Sequence, residues 1–178
     1  MKYKLVAVDI DGTLLDSKRN LTPETMSAIH ETVAAGVIFT ICTGRPIQGV
    51  KPLIDKLGLD LPFITYNGAM IVMGKSGEIL YAQTMRGEDA KTVYKLGKKL
   101  KTTVVIWANN NLYVEPLGPE ATAYASMSRT KPEPITDLEA LLAQGVTKVL
   151  FYDEVETIRH FEQQVAPDVP PTVNYCTS

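Results

Sequence analysis

Cysteine, histidine and tryptophan are scarce in this sequence. Its 178 residues include two cysteines, two histidines and one tryptophan. Cys42 and Cys176 make neither a disulfide framework nor a metal quartet, which favours a protein of a reducing compartment. His30 and His160 both fall in helical patterns, so the sequence gives no support for a Ser–His–Asp hydrolase.

Long apolar runs and an excess of one charge are also absent. No apolar stretch approaches the roughly 20 residues that span a bilayer, and the first apolar run meets Asp9 too early for a signal peptide. The 18 Lys and Arg against 20 Asp and Glu leave a formal charge of −2, which gives no electrostatic case for nucleic acid or an anionic membrane as partner. With 45% hydrophobic residues, the composition is that of an ordered globular protein. We therefore expect a soluble cytoplasmic protein.

Apolar runs alternate with helical patterns in the first part of the chain. Thr22 and Pro23 have the residue types of a helix start, while Gly36 and Gly58 each follow a helical pattern as a stop signal. Buried strands are expected at 4–10, 37–42 and 63–66. These short strand–helix–strand spacings predict βαβ units and a parallel, doubly wound sheet.

After Gly68 the pattern changes. A hairpin is expected over 69–83 and a basic amphipathic helix over 89–100. Further strands are predicted at 103–107, 112–115, 146–152 and 172–176, and helices at 119–128, 138–144 and 155–165. We therefore divide the chain into a parallel α/β part, 1–82, and a smaller α+β part, 83–178.

The sharpest chemical signal follows the first strand, where the sequence reads D-I-D-G-T-L from Asp9. In an open α/β sheet the carboxyl ends of the strands are where ligands bind. Asp9 and Asp11 stand two apart and can converge if the strand geometry lasts that far; so close a pair implies a shared proton or a hard metal between them. Gly12 allows a sharp turn whose N–H approaches an anion. This arrangement predicts Asp9 as nucleophile and Asp11 as acid and base.

Two further segments complete a recognisable pattern. The second strand ends in I-C-T-G-R-P at 41–46, and the third in I-T-Y-N-G-A at 64–69. With the first motif, they resemble the haloacid dehalogenase superfamily, and within it the Cof-type phosphatases of sugar phosphates and similar small phosphate esters. The resemblance covers the whole chain. It implies a Rossmann-like parallel-sheet core over 1–82 and an inserted α+β cap over 83–178.

The resemblance also implies roles for the motif residues. Asp9 would attack phosphorus and form an aspartyl phosphate, and Asp11 would protonate the leaving oxygen and later deprotonate water. Mg²⁺ would bridge the Asp9 carboxylate, the Asp11 carbonyl and a phosphoryl oxygen. Thr43 and backbone N–H groups near Gly12 and Gly44 would hold the phosphoryl group of a small phosphorylated metabolite.

Three other residues have less direct expected roles. Thr13 is expected to support these groups or to contact the substrate. Arg45 either steers anions or pairs with an acid at the surface. Asn67 is either a turn residue or, in the family context, a support for the site or a cap hinge.

The same resemblance calls for two later motifs, a lysine and a Gly-Asp…Asn-Asp loop. No Gly-Asp pair occurs in the sequence, and Ser178 falls where the cap would return to the core. We therefore expect an incomplete core, weak Mg²⁺ binding, impaired hydrolysis and an open apolar edge at the first strand that favours homo-oligomers.

Other classes of protein fit less well. The main alternative is a catalytically inactive module of this family that binds a phosphometabolite or self-associates. A receiver domain is disfavoured because Asn67 stands after the third strand, where the phosphoacceptor would be. A nucleotide-binding P-loop is disfavoured because Gly49 is followed by Val50 rather than by Lys-Ser/Thr. No G-x-G-x-x-G dinucleotide fingerprint occurs.

Overall fold

The computed structural model describes residues 3–177. Contacts divide the chain into two compact units, here called the N-terminal unit (Met1–Ala82) and the C-terminal unit (Gln83–Ser178). Each has its own β-sheet.

The N-terminal unit is built on a mixed five-stranded sheet. Its order is β1-β2-β3-β4-β5, in which the first three strands run parallel and the last two join as antiparallel neighbours. The elements are β1 (Leu5–Val8), α1 (Pro23–Ala34), β2 (Ile38–Cys42), α2 (Ile47–Leu57), β3 (Pro62–Thr65), β4 (Met70–Met73) and β5 (Ile79–Ala82).

The predicted helix boundaries in this unit are confirmed. The Thr22 side chain accepts a hydrogen bond from the Thr25 N–H, and Pro23 occupies the first helical position of α1. Gly36 has a positive φ of 78° just after α1, and Gly58 ends α2 with a φ of 66°. These are conformations that glycine adopts at little cost.

Both helices of the N-terminal unit pack in one hydrophobic cluster. Ile29 of α1 and Ile54 of α2 share it with Phe39, Ile41 and Phe63 of the sheet. Consecutive parallel strands joined by right-handed crossovers place their helices on the same face. Leu5 at the start of β1 and Ile38 at the start of β2 do not pack in this cluster. Their side chains remain exposed, at 55% and 54%.

The C-terminal unit has a four-stranded sheet in the order β8-β7-β6-β9, with β8 parallel to β7 and the other pairs antiparallel. Its central strand β6 is buried along its whole length. The elements are α3 (Gly87–Leu100), β6 (Thr103–Ala108), β7 (Asn111–Glu115), α4 (Pro119–Ser128), β8 (Pro132–Pro134), α5 (Leu138–Ala143), β9 (Val146–Tyr152) and α6 (Val155–Val165).

Side chains of β6 pack on both sides of this sheet. Val104 and Ile106 share a cluster with Ala90 of α3 and Leu141 of α5. Trp107 is fully buried, and its indole N–H donates to the Tyr124 hydroxyl of α4 at 3.0 Å.

Two sequence expectations in this unit are wrong. The β-like run Thr172 to Cys176 pairs with no strand and has no regular structure, because β propensity alone does not supply a neighbouring strand. Conversely, the sequence predicted no strand at Pro132–Pro134, yet this segment pairs with β7 at the edge of the sheet, where proline is tolerated.

Within residues 3–177, none of the helices has the length and apolarity needed to cross a membrane.

Candidate active site

The D-I-D-G-T-L segment forms a wide turn directly after β1. The N–H groups of Leu14 and Leu15 donate to the carbonyls of Asp9 and Ile10, both at 3.2 Å. Gly12 allows the reversal because it has a φ of 73°.

The apolar and polar side chains of this turn differ in burial. Ile10 and Leu14 are buried in the core, whereas Asp9, Asp11 and Thr13 are exposed. The apolar side chains thus anchor the turn to the unit and leave both carboxylates accessible to solvent.

Arg45 forms a two-point ion pair with Asp11. Its Nε donates to Asp11 Oδ2 at 2.9 Å and its Nη2 to Oδ1 at 2.5 Å, while Nη1 donates to the Gly49 carbonyl at 3.4 Å. The Arg45 side chain is 27% exposed. A fork that engages both carboxylate oxygens fixes orientation as well as charge. Of the two roles expected for Arg45, the structure shows the pairing with an acid.

A second arginine, which sequence reasoning missed, also reaches Asp11. Arg19 Nη2 donates to Asp11 Oδ1 at 3.3 Å. Arg19 has a φ of 61° in a turn where Asp16 Oδ1 accepts the N–H groups of Lys18 at 2.9 Å and Asn20 at 2.7 Å. Asp16 and Asn20 are turn-forming residues, so the sequence could have indicated the turn but not the direction of Arg19.

Thr43 and Gly44 lie where β2 ends. Thr43 is buried, its N–H donates to the Ile64 carbonyl at 2.9 Å, and its Oγ1 accepts the Arg45 N–H at 3.2 Å. Gly44 faces the Asn67 side chain so closely that a Cβ on Gly44 would stand 2.9 Å from Asn67 Oδ1. Any other residue at this position would require the Asn67 amide to move.

The residues that follow β3 hydrogen-bond to the loop that follows β2. Tyr66, Asn67 and Gly68 have successive positive φ values of 51°, 57° and 97°. The Tyr66 N–H donates to the Arg45 carbonyl at 3.1 Å, and the Asn67 N–H donates to the Thr43 carbonyl at 3.0 Å. The left-handed conformation is costly for a residue such as tyrosine, and these bonds offset that cost.

The Asp9 carboxylate lies close enough to Cys42 to affect its thiol. Burial, followed by the negative charge of Asp9, raises the pKa of the Cys42 thiol. Val8 and Ile41 are partners in the parallel ladder, and Asp9 and Cys42 are the next residues on each strand. The thiol therefore stays protonated and is a poor nucleophile, while Asp9 lies beside the end of β2.

The carboxylates of the turn supply the oxygen ligands that hard cations prefer. Among residues 3–177, however, His, Cys, Asp and Glu nowhere gather in a group of three or more that could hold a metal ion. Within the described residues, no third histidine, cysteine or acidic side chain therefore joins the two carboxylates of the turn to form such a group.

Comparisons with known proteins identify the family. The family model described as haloacid dehalogenase-like hydrolase matches residues 6–178. The chain therefore belongs to the haloacid dehalogenase-like hydrolases, and the sequence-based recognition is confirmed.

Individual relatives agree with that family. The chain is 32% identical over 172 residues to "Putative phosphatase YxeH" of Bacillus subtilis (strain 168), covering 94% of this chain and 64% of the relative. It is 27% identical over 176 residues to the HMP-PP phosphatase of Serratia proteamaculans (strain 568), covering 99% of this chain and 64% of the relative. The chain thus spans a little under two thirds of the length of these relatives.

A solved structure confirms the fold. The crystal structure of a haloacid dehalogenase-like hydrolase from Bacteroides thetaiotaomicron superposes with a TM-score of 0.81 at 22% identity, covering 99% of this chain and 68% of that one. The predicted α/β class is therefore correct.

Proposed function

We propose that this chain carries the nucleophile of a Cof-type phosphatase. Its reaction is the hydrolysis of small phosphate monoesters, with sugar phosphates as the substrate class, through an aspartyl phosphate on Asp9. The observation that carries the proposal is the exposed pair Asp9 and Asp11 in a turn at the end of β1, with Asp11 held by Arg45, in a chain of this hydrolase family.

The two units have different proposed roles. The N-terminal unit is the first part of the catalytic core, and the C-terminal unit is the cap that selects the substrate. The division of the chain into two compact units is compatible with two separate roles, and relatives that carry the name phosphatase support the activity. A cytoplasmic location accords with the scarcity of cysteine.

The proposed reaction has two steps. A carboxylate oxygen of Asp9 attacks phosphorus, the ester P–O bond breaks, and Asp11 gives its proton to the departing alkoxide. Water then loses a proton to Asp11 and attacks the aspartyl phosphate. Inorganic phosphate leaves, and Asp9 is again a free carboxylate.

Neighbouring groups would hold the transferring phosphoryl. The hydroxyl of Thr43 accepts the Arg45 N–H, so its proton can be donated to a phosphoryl oxygen. Backbone N–H groups near Gly12 and Gly44 supply further donors. Thr13 and Asn67 support these two loops.

A divalent cation suits the chemistry of this site. Mg²⁺ in phosphoryl-transfer sites is held by one or two carboxylates together with substrate oxygens and water. The Asp9 carboxylate and the Asp11 carbonyl would hold it, and its charge would offset that of the phosphoryl group. Because so few ligands come from the described residues, we expect Mg²⁺ to bind weakly.

The proposal is tested by trapping the intermediate. With p-nitrophenyl phosphate and Mg²⁺, intact-mass spectrometry should show the addition of one phosphoryl group, and peptide mapping should place it on Asp9. Asp9→Asn should abolish this addition. Asp11→Asn should prolong the life of the phosphorylated form by roughly 100-fold or more, since general base catalysis contributes about that factor.

Asp55→Asn is the matched control. Asp55 is an exposed carboxylate of the same unit, paired with Lys51 on α2 and remote in sequence from the turn. It should leave phosphorylation intact. Phosphorylation that persists in Asp9→Asn, or that maps to another residue, would overturn the proposal.

A second candidate function is self-association without turnover. It is favoured by β1, which is an edge strand of the described sheet and exposes Leu5 beside the exposed Ile38 of β2. Exposed apolar edge strands are templates for pairing with another chain.

A further inference from the structure

The two arginines that contact Asp11 differ in the number and length of their hydrogen bonds. Arg45 engages both carboxylate oxygens and also the Gly49 carbonyl. Arg19 shares only Oδ1, through a single donor at 3.3 Å. Long hydrogen bonds of this kind are weak.

Exposure separates the two side chains further. The Arg19 side chain is 72% exposed, against 27% for Arg45. In the described part of the chain, the other side-chain donors of Arg19 have no acceptor. Arg19 can therefore leave Asp11 with little loss, whereas Arg45 cannot.

The backbone beneath Arg19 is nevertheless fixed. Its N–H donates to the Asp16 carbonyl at 2.8 Å, and Asp16 N–H donates to the Asn20 carbonyl at 3.0 Å. Arg19 has a positive φ in this turn, and its side chain reaches Asp11. An exposed ion pair adds little to stability, so the contact between Arg19 and Asp11 contributes little to folding.

The contact with Asp11 fixes which part of a substrate Arg19 would meet. In the proposed function, on which this inference rests, Asp11 exchanges its proton with the leaving oxygen. A group within reach of Asp11 Oδ1 is therefore within reach of the leaving group.

We propose that Arg19 is a specificity-determining residue that releases Asp11 and binds a second anionic group on the leaving-group side of the substrate. The substrate class is then a phosphate compound with a further oxyanion, either a carboxylate or a second phosphate. Release of Arg19 also removes one of the two donors on Asp11 Oδ1, while Arg45 continues to hold both carboxylate oxygens.

Ligand pairs that differ only in the second anion test this proposal. Calorimetry in Mg²⁺ would compare 2-phosphoglycerate with glycerol 2-phosphate, and pyrophosphate with inorganic phosphate. All proteins would carry Asp9→Asn, which prevents turnover. The doubly anionic member of at least one pair should bind about tenfold more tightly, the effect of one charge-assisted contact.

Substitutions at position 19 then assign the preference. Arg19→Gln should reduce the affinity ratio to near one, and Arg19→Lys should retain part of it because the charge remains. Lys18→Gln is the matched control, since Lys18 is the neighbouring cation of the same turn and does not contact Asp11; it should preserve the ratio. Far-UV circular dichroism would verify that each variant is folded.

The outcomes are distinct. A preference in the carboxylate pair or in the pyrophosphate pair identifies the source of the second anion. Equal binding within both pairs, or a preference that survives Arg19→Gln, overturns the role of Arg19 and leaves the phosphatase proposal intact. Failure of all four ligands to bind would overturn the phosphatase proposal and this inference with it.

Discussion

The two units use their sheets in opposite ways. In the C-terminal unit, β6 lies at the centre of the sheet and is buried along its length, with helices packed against its side chains. In the N-terminal unit, β1 and β5 are the outer strands and both expose apolar side chains. The candidate active site lies in the N-terminal unit, whose outer strands are the more exposed.

This difference separates stability from chemistry. Buried apolar side chains dominate the free energy of folding, so we expect substitutions on the buried strand β6 to cost more than substitutions at the exposed positions of the N-terminal sheet. The N-terminal unit instead carries the exposed carboxylates and strained loops that a reactive site needs. Three measurements test that contrast.

The largest effect on stability is expected when isoleucine is replaced by alanine at a buried position of one sheet and at an exposed position of the other. Ile106→Ala in buried β6 should lower the free energy of unfolding by about 2–5 kcal/mol. Ile38→Ala, at a position that is 54% exposed, should cost less than about 1 kcal/mol. Urea unfolding followed by circular dichroism gives both values.

The single tryptophan helps to separate the two units. Trp107 lies in the C-terminal unit, so its fluorescence reports on that unit alone. The fluorescence midpoint should fall in Ile106→Ala. If Ile38→Ala costs as much as Ile106→Ala, the exposed face of the first sheet is covered in solution and the contrast fails.

A smaller effect is expected from alkaline pH in the C-terminal unit. The Tyr94 hydroxyl donates to Glu115, which also accepts from Lys98 Nζ at 2.6 Å. Burial, followed by the bond to Glu115 and its charge, raises the pKa of Tyr94 from 10 to about 12. Between these values the unfolded chain has lost a proton that the folded chain retains, so stability falls as pH rises through this window.

Tyr94→Phe isolates this contribution. The difference in unfolding free energy between the parent and Tyr94→Phe should be constant below pH 10 and shrink toward pH 12. Fluorescence-monitored urea titrations at a series of pH values measure it. A difference that does not change with pH would show that the Tyr94 phenol is as solvated when folded as when unfolded.

The smallest effect on stability is expected at the sheet edge. Leu5→Lys places a charge on β1 and should change the unfolding free energy by no more than about 0.5 kcal/mol. It should nevertheless abolish self-association, because lysine on an edge strand opposes pairing. Sedimentation equilibrium measures the mass in solution.

Ile79→Lys is the control at the opposite edge. Ile79 on β5 is about as exposed as Leu5, and this variant should associate like the parent. A monomeric parent, or association that Ile79→Lys disrupts and Leu5→Lys does not, would exclude pairing through β1.

The sequence predicted those parts of the fold that short-range signals determine. Thr22, Pro23, Gly36 and Gly58 define helix ends through local hydrogen bonds and backbone conformation, and all four behave as expected. Pro132–Pro134 and the run after Thr172 depend on whether a neighbouring strand is present, which local pattern does not reveal.

The same limit applies to the site. The motif residues could be identified because each follows directly from a strand end. The Arg45 pair with Asp11 spans 34 positions, and the Arg19 contact depends on a left-handed turn. Such contacts arise from three-dimensional placement, so sequence reasoning left the first open and missed the second.

The left-handed run Tyr66-Asn67-Gly68 has a consequence for how this region tolerates change. Two of its backbone N–H groups donate to the carbonyls of Thr43 and Arg45. The Asn67 side chain fills the space that a Cβ on Gly44 would need. The loops that follow β2 and β3 therefore constrain each other. Whether a substitution is tolerated in one loop depends on the residues present in the other. Sequence drift at these positions should be paired, so that divergent members of the family alter both loops together or neither.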